Sequence, residues 1–86
     1  MKTEKDEILQ NLCYTELVYE RIRKKLSIRL QNKEIEKFIF DAIKETPPEF
    51  FVKKGKNYYI SSLKEKVRIT VNSHTTRVIT VDKIIA

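Results

Sequence analysis

Two side chains in this sequence could form a nucleophile and its base: Cys13 and His74, each the sole residue of its type. A thiol becomes reactive when a neighbouring imidazole takes its proton, so the pair matters only if the fold brings it together. Cys13 lies in a stretch with helical apolar spacing, and His74 in the polar run Asn72-Ser73-His74-Thr75-Thr76, which reads as a hairpin tip. These placements predict that the two are far apart, the thiol as a small core group and the imidazole in solvent. The carboxylate pairs Glu16 with Glu20 and Glu34 with Asp41 recur at helix-turn spacing among Lys and Arg, as solvated helix surfaces do. No catalytic residue and no enzymatic activity is therefore expected.

Other chemistries fail on residue counts. One cysteine and one histidine cannot supply the three or four ligands of a structural zinc site, and one cysteine cannot close an intramolecular disulfide. Gly55 is the only glycine, whereas phosphate-binding loops need several positions where backbone approaches the ligand without a Cβ. Neither a metal nor a cofactor is expected.

What remains is anion binding. The 86 residues contain 18 Lys+Arg against 12 Asp+Glu, a net charge of +6, and the excess is unevenly placed. Residues 1–50 hold ten basic and ten acidic side chains; residues 51–86 hold eight basic ones against Glu65 and Asp82. Lys53, Lys54, Lys56, Lys64, Lys66 and Arg68 make up most of that excess, and Tyr59 among them offers a ring on which a base could stack. These seven residues are the candidate nucleic-acid contacts. Lysines at strand edges and turns also prevent edge-to-edge pairing, a structural role that accounts for the same pattern.

The elements that position these residues change character at Pro47-Pro48. Upstream, Ile8, Leu12, Thr15, Tyr19, Ile22 and Leu26 fall three or four residues apart, predicting a helix that starts near a Thr3 cap and runs to Leu26. Thr15 is its weak point, and could instead cap a second helix beginning at Glu16. Asn32 is the expected cap of the next helix, whose apolar face is Ile35, Phe38, Ile39, Ala42 and Ile43, with Phe40 off that face. This segment is net acidic, with Glu34, Glu36, Asp41 and Glu45 against Lys33, Lys37 and Lys44, which disfavours its use as a groove-reading helix on DNA.

Downstream, apolar residues alternate, predicting a four-stranded antiparallel meander. A turn centred on Lys54-Gly55 would set Phe51 opposite Tyr58 and Phe50 opposite Tyr59; a turn over residues 63–66 would set Ile60 opposite Ile69 and Tyr58 opposite Val71. The near-copies Ile69-Thr70-Val71-Asn72 and Ile79-Thr80-Val81-Asp82 suggest a hairpin centred on Thr75. That register pairs Ile69 with Val81, Thr70 with Thr80, Arg68 with Asp82 and Val71 with Ile79. One face is then apolar, with Tyr58, Ile60, Val67, Ile69, Val71, Ile79 and Val81. The other carries Tyr59, Ser61, Arg68, Thr70, Asn72, Val78, Thr80 and Asp82. The expected fold is α+β, two N-terminal helices on one face of the meander, in a single domain over residues 1–86 divided into a helical half 1–49 and a sheet half 50–86.

Three stretches resemble a family of short bacterial proteins defined as domain-of-unknown-function family 3781: Leu12-Cys13-Tyr14-Thr15-Glu16-Leu17-Val18-Tyr19-Glu20-Arg21-Ile22, Phe51-Val52-Lys53-Lys54-Gly55-Lys56-Asn57-Tyr58-Tyr59-Ile60, and Val67-Arg68-Ile69-Thr70-Val71-Asn72-Ser73 with Ile79-Thr80-Val81-Asp82. The resemblance implies a bacterial or mobile-element source and a stand-alone small domain, and supplies no activity or site residues. The residues themselves point to a non-enzymatic binding module that meets a protein, or a second copy of itself, through the outer sheet face or the Arg77–Asp82 edge. The alternative is a nucleic-acid-binding protein using the basic half. No apolar run approaches membrane-spanning length and the first residues lack a signal-peptide pattern, so no membrane partner is expected and the expected compartment is the cytoplasm.

Overall fold

The computed structural model describes residues 4–84; the predicted Thr3 cap lies outside them. The elements run α1 (Glu4–Asn11), α2 (Glu16–Leu26), α3 (Asn32–Glu45), a single 3-10 turn (Pro48–Phe50), then β1 (Phe51–Lys54), β2 (Asn57–Ser62), β3 (Val67–Asn72) and β4 (Val78–Lys83). The strands form one antiparallel sheet in the order β1-β2-β3-β4. The architecture is α+β, with three helices where two were expected.

The extra break falls at Thr15. Its hydroxyl accepts the Val18 N–H at 3.3 Å, capping α2, so the helical stripe is divided rather than continuous. Cys13 between the two helices is extended: its N–H donates to the Thr76 carbonyl at 3.1 Å and its carbonyl accepts the Val78 N–H at 2.9 Å. The helix yields because those two groups gain partners where the last loop enters β4. Ser27 ends α2 in the left-handed region, and α3 begins one residue earlier than expected, capped by Gln31, whose N–H donates to Glu34 Oε1 at 3.0 Å. Asn32 instead accepts from Arg23, which also donates to the Leu30 carbonyl at 2.8 Å and to Glu20 at 3.0 Å. One guanidinium thus closes the α2–α3 connection.

The core joins Ile8 of α1, Val18, Ile22 and Leu26 of α2, and Ile35, Ile39, Ala42 and Ile43 of α3 to Ile60, Val67, Ile69, Val71, Val78 and Val81 of the sheet. All three helices therefore contribute to one apolar layer, and among the described residues the opposite sheet face carries no helix. Phe40 lines a shallow groove with Leu9, Leu12 and Tyr14, covering the α1 junction.

The β2–β3 register is as expected, with Ile60 opposite Ile69 and Tyr58 opposite Val71. The flanking hairpins differ. In the first, the turn residues are Gly55 and Lys56, so Phe51 pairs with Ile60 and Val52 with Tyr59. Gly55 has φ +64°, and a two-residue turn with one such residue wants it first rather than second. In the last hairpin, Arg68–Asp82, Ile69–Val81 and Thr70–Thr80 pair as expected, but Val71 faces Val78 across a bulge rather than Ile79. Asn72 Oδ1 accepts the N–H groups of His74 and Thr75, and Thr76 takes φ +53°. Six residues separate Val71 from Val78, one fewer than the seven between Val71 and Ile79 in the symmetric hairpin, and the residue so released enters β4 as the bulge. Val78 is consequently buried in the core, and Ile79 meets α2 beside Thr15, Val18 and Arg21.

Candidate functional site

The expected separation of Cys13 and His74 does not hold: the thiol lies against the turn that carries the imidazole. Cys13 is exposed rather than a core residue, and its Sγ donates to the Thr75 carbonyl at 3.2 Å. The thiol proton is therefore directed to a peptide oxygen, and the geometry gives it no base.

The seven candidate anion contacts divide into three groups. Lys54, Tyr59 and Arg68 share one shallow concavity on the helix-free sheet face, with Val52 and Ser61 completing its lining and a volume of about 420 Å³. Lys53 is exposed on β1 and paired with Tyr58, and alternation points it to the other face; Lys56 sits in the first turn. Lys64 and Lys66 lie on the helix side of the β2–β3 turn. Lys64 is ion-paired to Glu45 at 3.3 Å, and Lys66, at φ +58°, lines a hollow with Leu26, Ile28 and Phe38. The basic cluster read from the sequence is therefore not one surface.

Within the concavity the strands set the spacing. Along β2, Asn57, Tyr59 and Ser61 alternate onto one face; Lys54 pairs with Asn57 and Arg68 with Ser61. The two cations flank the Tyr59 row on either side, each about 7 Å away along the strand at the usual rise per residue. No carboxylate is among its lining residues within the described part of the chain. Asp82, the cross-strand partner of Arg68, is held instead by Lys25 of α2, at 2.7 Å. Glu65, the other acid of the sheet half, lines the hollow on the helix side. Val52, Ser61 and Lys25 were not among the sequence candidates. Val52 would have followed from placing Gly55 first in its turn, and Ser61 from its expected place on the outer face beside Tyr59; Lys25 required knowing which strand α2 accompanies.

The Arg77–Asp82 edge is covered at its start. Cys13 bonds to its first residues, and Arg21 Nη1 donates to the Ile79 carbonyl at 3.3 Å. Among the described residues the β1 edge is uncovered, four residues long and exposed from Val52 onward, with Lys53 and Lys54 on it.

A tyrosine cluster lies elsewhere, between the Cys13 segment and the helices. Tyr14 stacks on Tyr19 at 5.5 Å between ring centroids, and the Tyr19 hydroxyl donates to Glu36 at 2.8 Å. Burial, with the adjacent Glu36 carboxylate, pushes the Tyr14 phenol up; burial and the Glu36 hydrogen bond push Tyr19 up to about 12. Tyr58, on the core face, is raised by burial and by Glu4. These groups stay neutral at ordinary pH and serve packing.

No group of three or more metal-ligating side chains is present among the described residues, and no helix there is long and apolar enough to cross a membrane. No curated protein and no solved structure matches the chain. The model of one family, described as a protein of unknown function (DUF3781), matches residues 6–82, and the chain belongs to that family.

Proposed function

We propose that this chain is a non-enzymatic binding module whose contact surface is the helix-free face of its sheet, and whose partner presents negative charge there. The carrying observation is the convergence of Lys54, Tyr59 and Arg68 in one concavity that no carboxylate lines. Desolvating two cations without a counter-charge costs free energy, so such a surface favours an anionic occupant over an apolar one. A free, exposed cysteine suits a reducing compartment, and we place the module in the cytoplasm on that ground.

The test is affinity capture from the native cell, scoring proteins and nucleic acid together for the wild type and for the double variant Lys54→Glu, Arg68→Glu. The partner should be lost from the variant. A partner retained in full would remove this face from the reading.

A second reading is favoured by the exposed β1 edge, where an extended segment of a protein, or of a second copy of this chain, could add a fifth strand. Size-exclusion chromatography with light scattering decides the self-association branch, since a strict monomer over a wide concentration range excludes it.

A further inference from the structure

The occupant of the concavity can be narrowed, given the reading that this face is the contact surface. We propose that it is single-stranded nucleic acid, with one base stacked on Tyr59 and the phosphates on either side of that nucleotide held by Lys54 and Arg68. Three observations carry this. A nucleotide within a strand is a planar ring flanked on both sides by negative charge, and the order Lys54, Tyr59, Arg68 along the strand direction is its complement. The concavity crosses β1, β2 and β3, and Lys54, Tyr59 and Arg68 step one strand over and two residues along at a time, so its occupant runs diagonally over the sheet, whereas an added peptide strand would run beside β1 alone. Finally, the pairing of Lys25 with Asp82 leaves Arg68 without the acid opposite it. An acidic peptide would use the two cations but has no need of a ring between them.

Duplex is a poorer fit. Its bases are stacked on one another and unavailable to a side chain on an open sheet, whereas a single strand can splay a base onto an aromatic platform. The polar lining also suits sequence-tolerant contact, because Ser61 is the sole hydroxyl beside Tyr59 in the concavity.

The test is fluorescence anisotropy with labelled oligothymidylate and oligouridylate of about ten nucleotides, within the usual site size of a small sheet module. A matched duplex and poly-glutamate serve as comparison ligands. The full chain should bind the single strands more tightly than the duplex, and binding should weaken with salt. Tyr59→Leu, which keeps apolar bulk but removes the ring, should lower affinity roughly five- to hundredfold, while Tyr59→Phe stays within about twofold. Lys54→Gln and Arg68→Gln should each reduce the slope of log affinity against log salt by about 0.7. Thermal melts of the variants verify that each is folded.

Absence of oligonucleotide binding by the folded wild type would overturn the inference. So would duplex binding equal to single-strand binding with Tyr59→Leu unchanged, since phosphate alone would then be read. If poly-glutamate binds and is lost with Lys54→Glu, Arg68→Glu while the oligonucleotides are ignored, the nucleic-acid inference falls and the contact face stands. If charge reversal affects neither ligand nor the captured partner, both fall.

Discussion

Lys25 Nζ lies 2.7 Å from Asp82 Oδ1, and this contact joins a cation of α2 to the acid that faces Arg68 across the sheet. A carboxylate with two basic neighbours is shared between them, and here α2 takes it. The helix side of the molecule thereby adjusts the charge of the opposite face.

Lys25→Met should therefore weaken polyanion binding although Lys25 lies outside the concavity. Asp82, once released, can pair with Arg68; the change expected is about two- to fivefold, the range of an exposed ion pair. Asp82→Asn should not weaken binding. The two variants are compared by anisotropy at low salt, and equal losses from both would refute the link.

Arg23 closes the α2–α3 connection through Leu30, Glu20 and Asn32. Arg23→Lys retains the charge but not the fork that spans three acceptors, so it should fail to restore stability. Urea unfolding should give a loss of about 1–3 kcal/mol for Arg23→Ala, with Arg23→Lys closer to the alanine variant than to the wild type.

The helix break at Thr15 makes a paired prediction. Thr15→Ala removes the cap of α2 and should cost about 1 kcal/mol, while Thr15→Ser should be near neutral. Ser27→Gly, at the left-handed residue that ends α2, should stabilise by up to about 1 kcal/mol. Equilibrium denaturation of the three variants checks both ends of one helix.

The bulge in β4 exchanges the roles of two adjacent residues. Val78→Thr places a hydroxyl in the core and should cost about 1–3 kcal/mol if that hydroxyl finds no partner. Ile79→Thr, at the half-buried contact with α2, should cost less. The reverse ranking in thermal melts would restore the symmetric hairpin.

Stability should be insensitive to the phenols at neutral pH and fall in strong alkali. Tyr14, Tyr19 and Tyr58 are all raised above the ordinary tyrosine value near 10, so the folded chain disfavours their phenolates. A group raised in this way contributes its stabilisation below pH 10 and loses it as pH climbs through the folded value, about 12 for Tyr19. Absorbance at the phenolate band should show these three tyrosines titrating late and together with unfolding. Ionisation of Tyr14, Tyr19 and Tyr58 near pH 10 without unfolding would contradict the burial.

Local chemistry in the sequence determines a good deal of this protein. Alternation in residues 57–62 and 67–72 specifies β2, β3 and their register, because a shift of one residue would turn Ile60 and Ile69 out to solvent. The apolar face of α3 and the stop at Pro47-Pro48 are equally local, as is the concentration of positive charge after residue 50. That no disulfide can close within these residues follows equally from their single cysteine. The tertiary structure decided what depends on partners distant in sequence. Cys13 leaves the helical pattern because its peptide groups bond to Thr76 and Val78, some sixty residues on, and a periodicity cannot register a competing hydrogen bond from another element. The bulge at Val78 depends on how the Asn72 side chain folds its loop and on α2 receiving Ile79. The basic segment Lys53–Arg68 is continuous in sequence, yet alternation and the turns send its charges to different faces. Only Lys54 and Arg68 remain beside Tyr59, and the acid opposite Arg68 is taken from the other side of the sheet by Lys25.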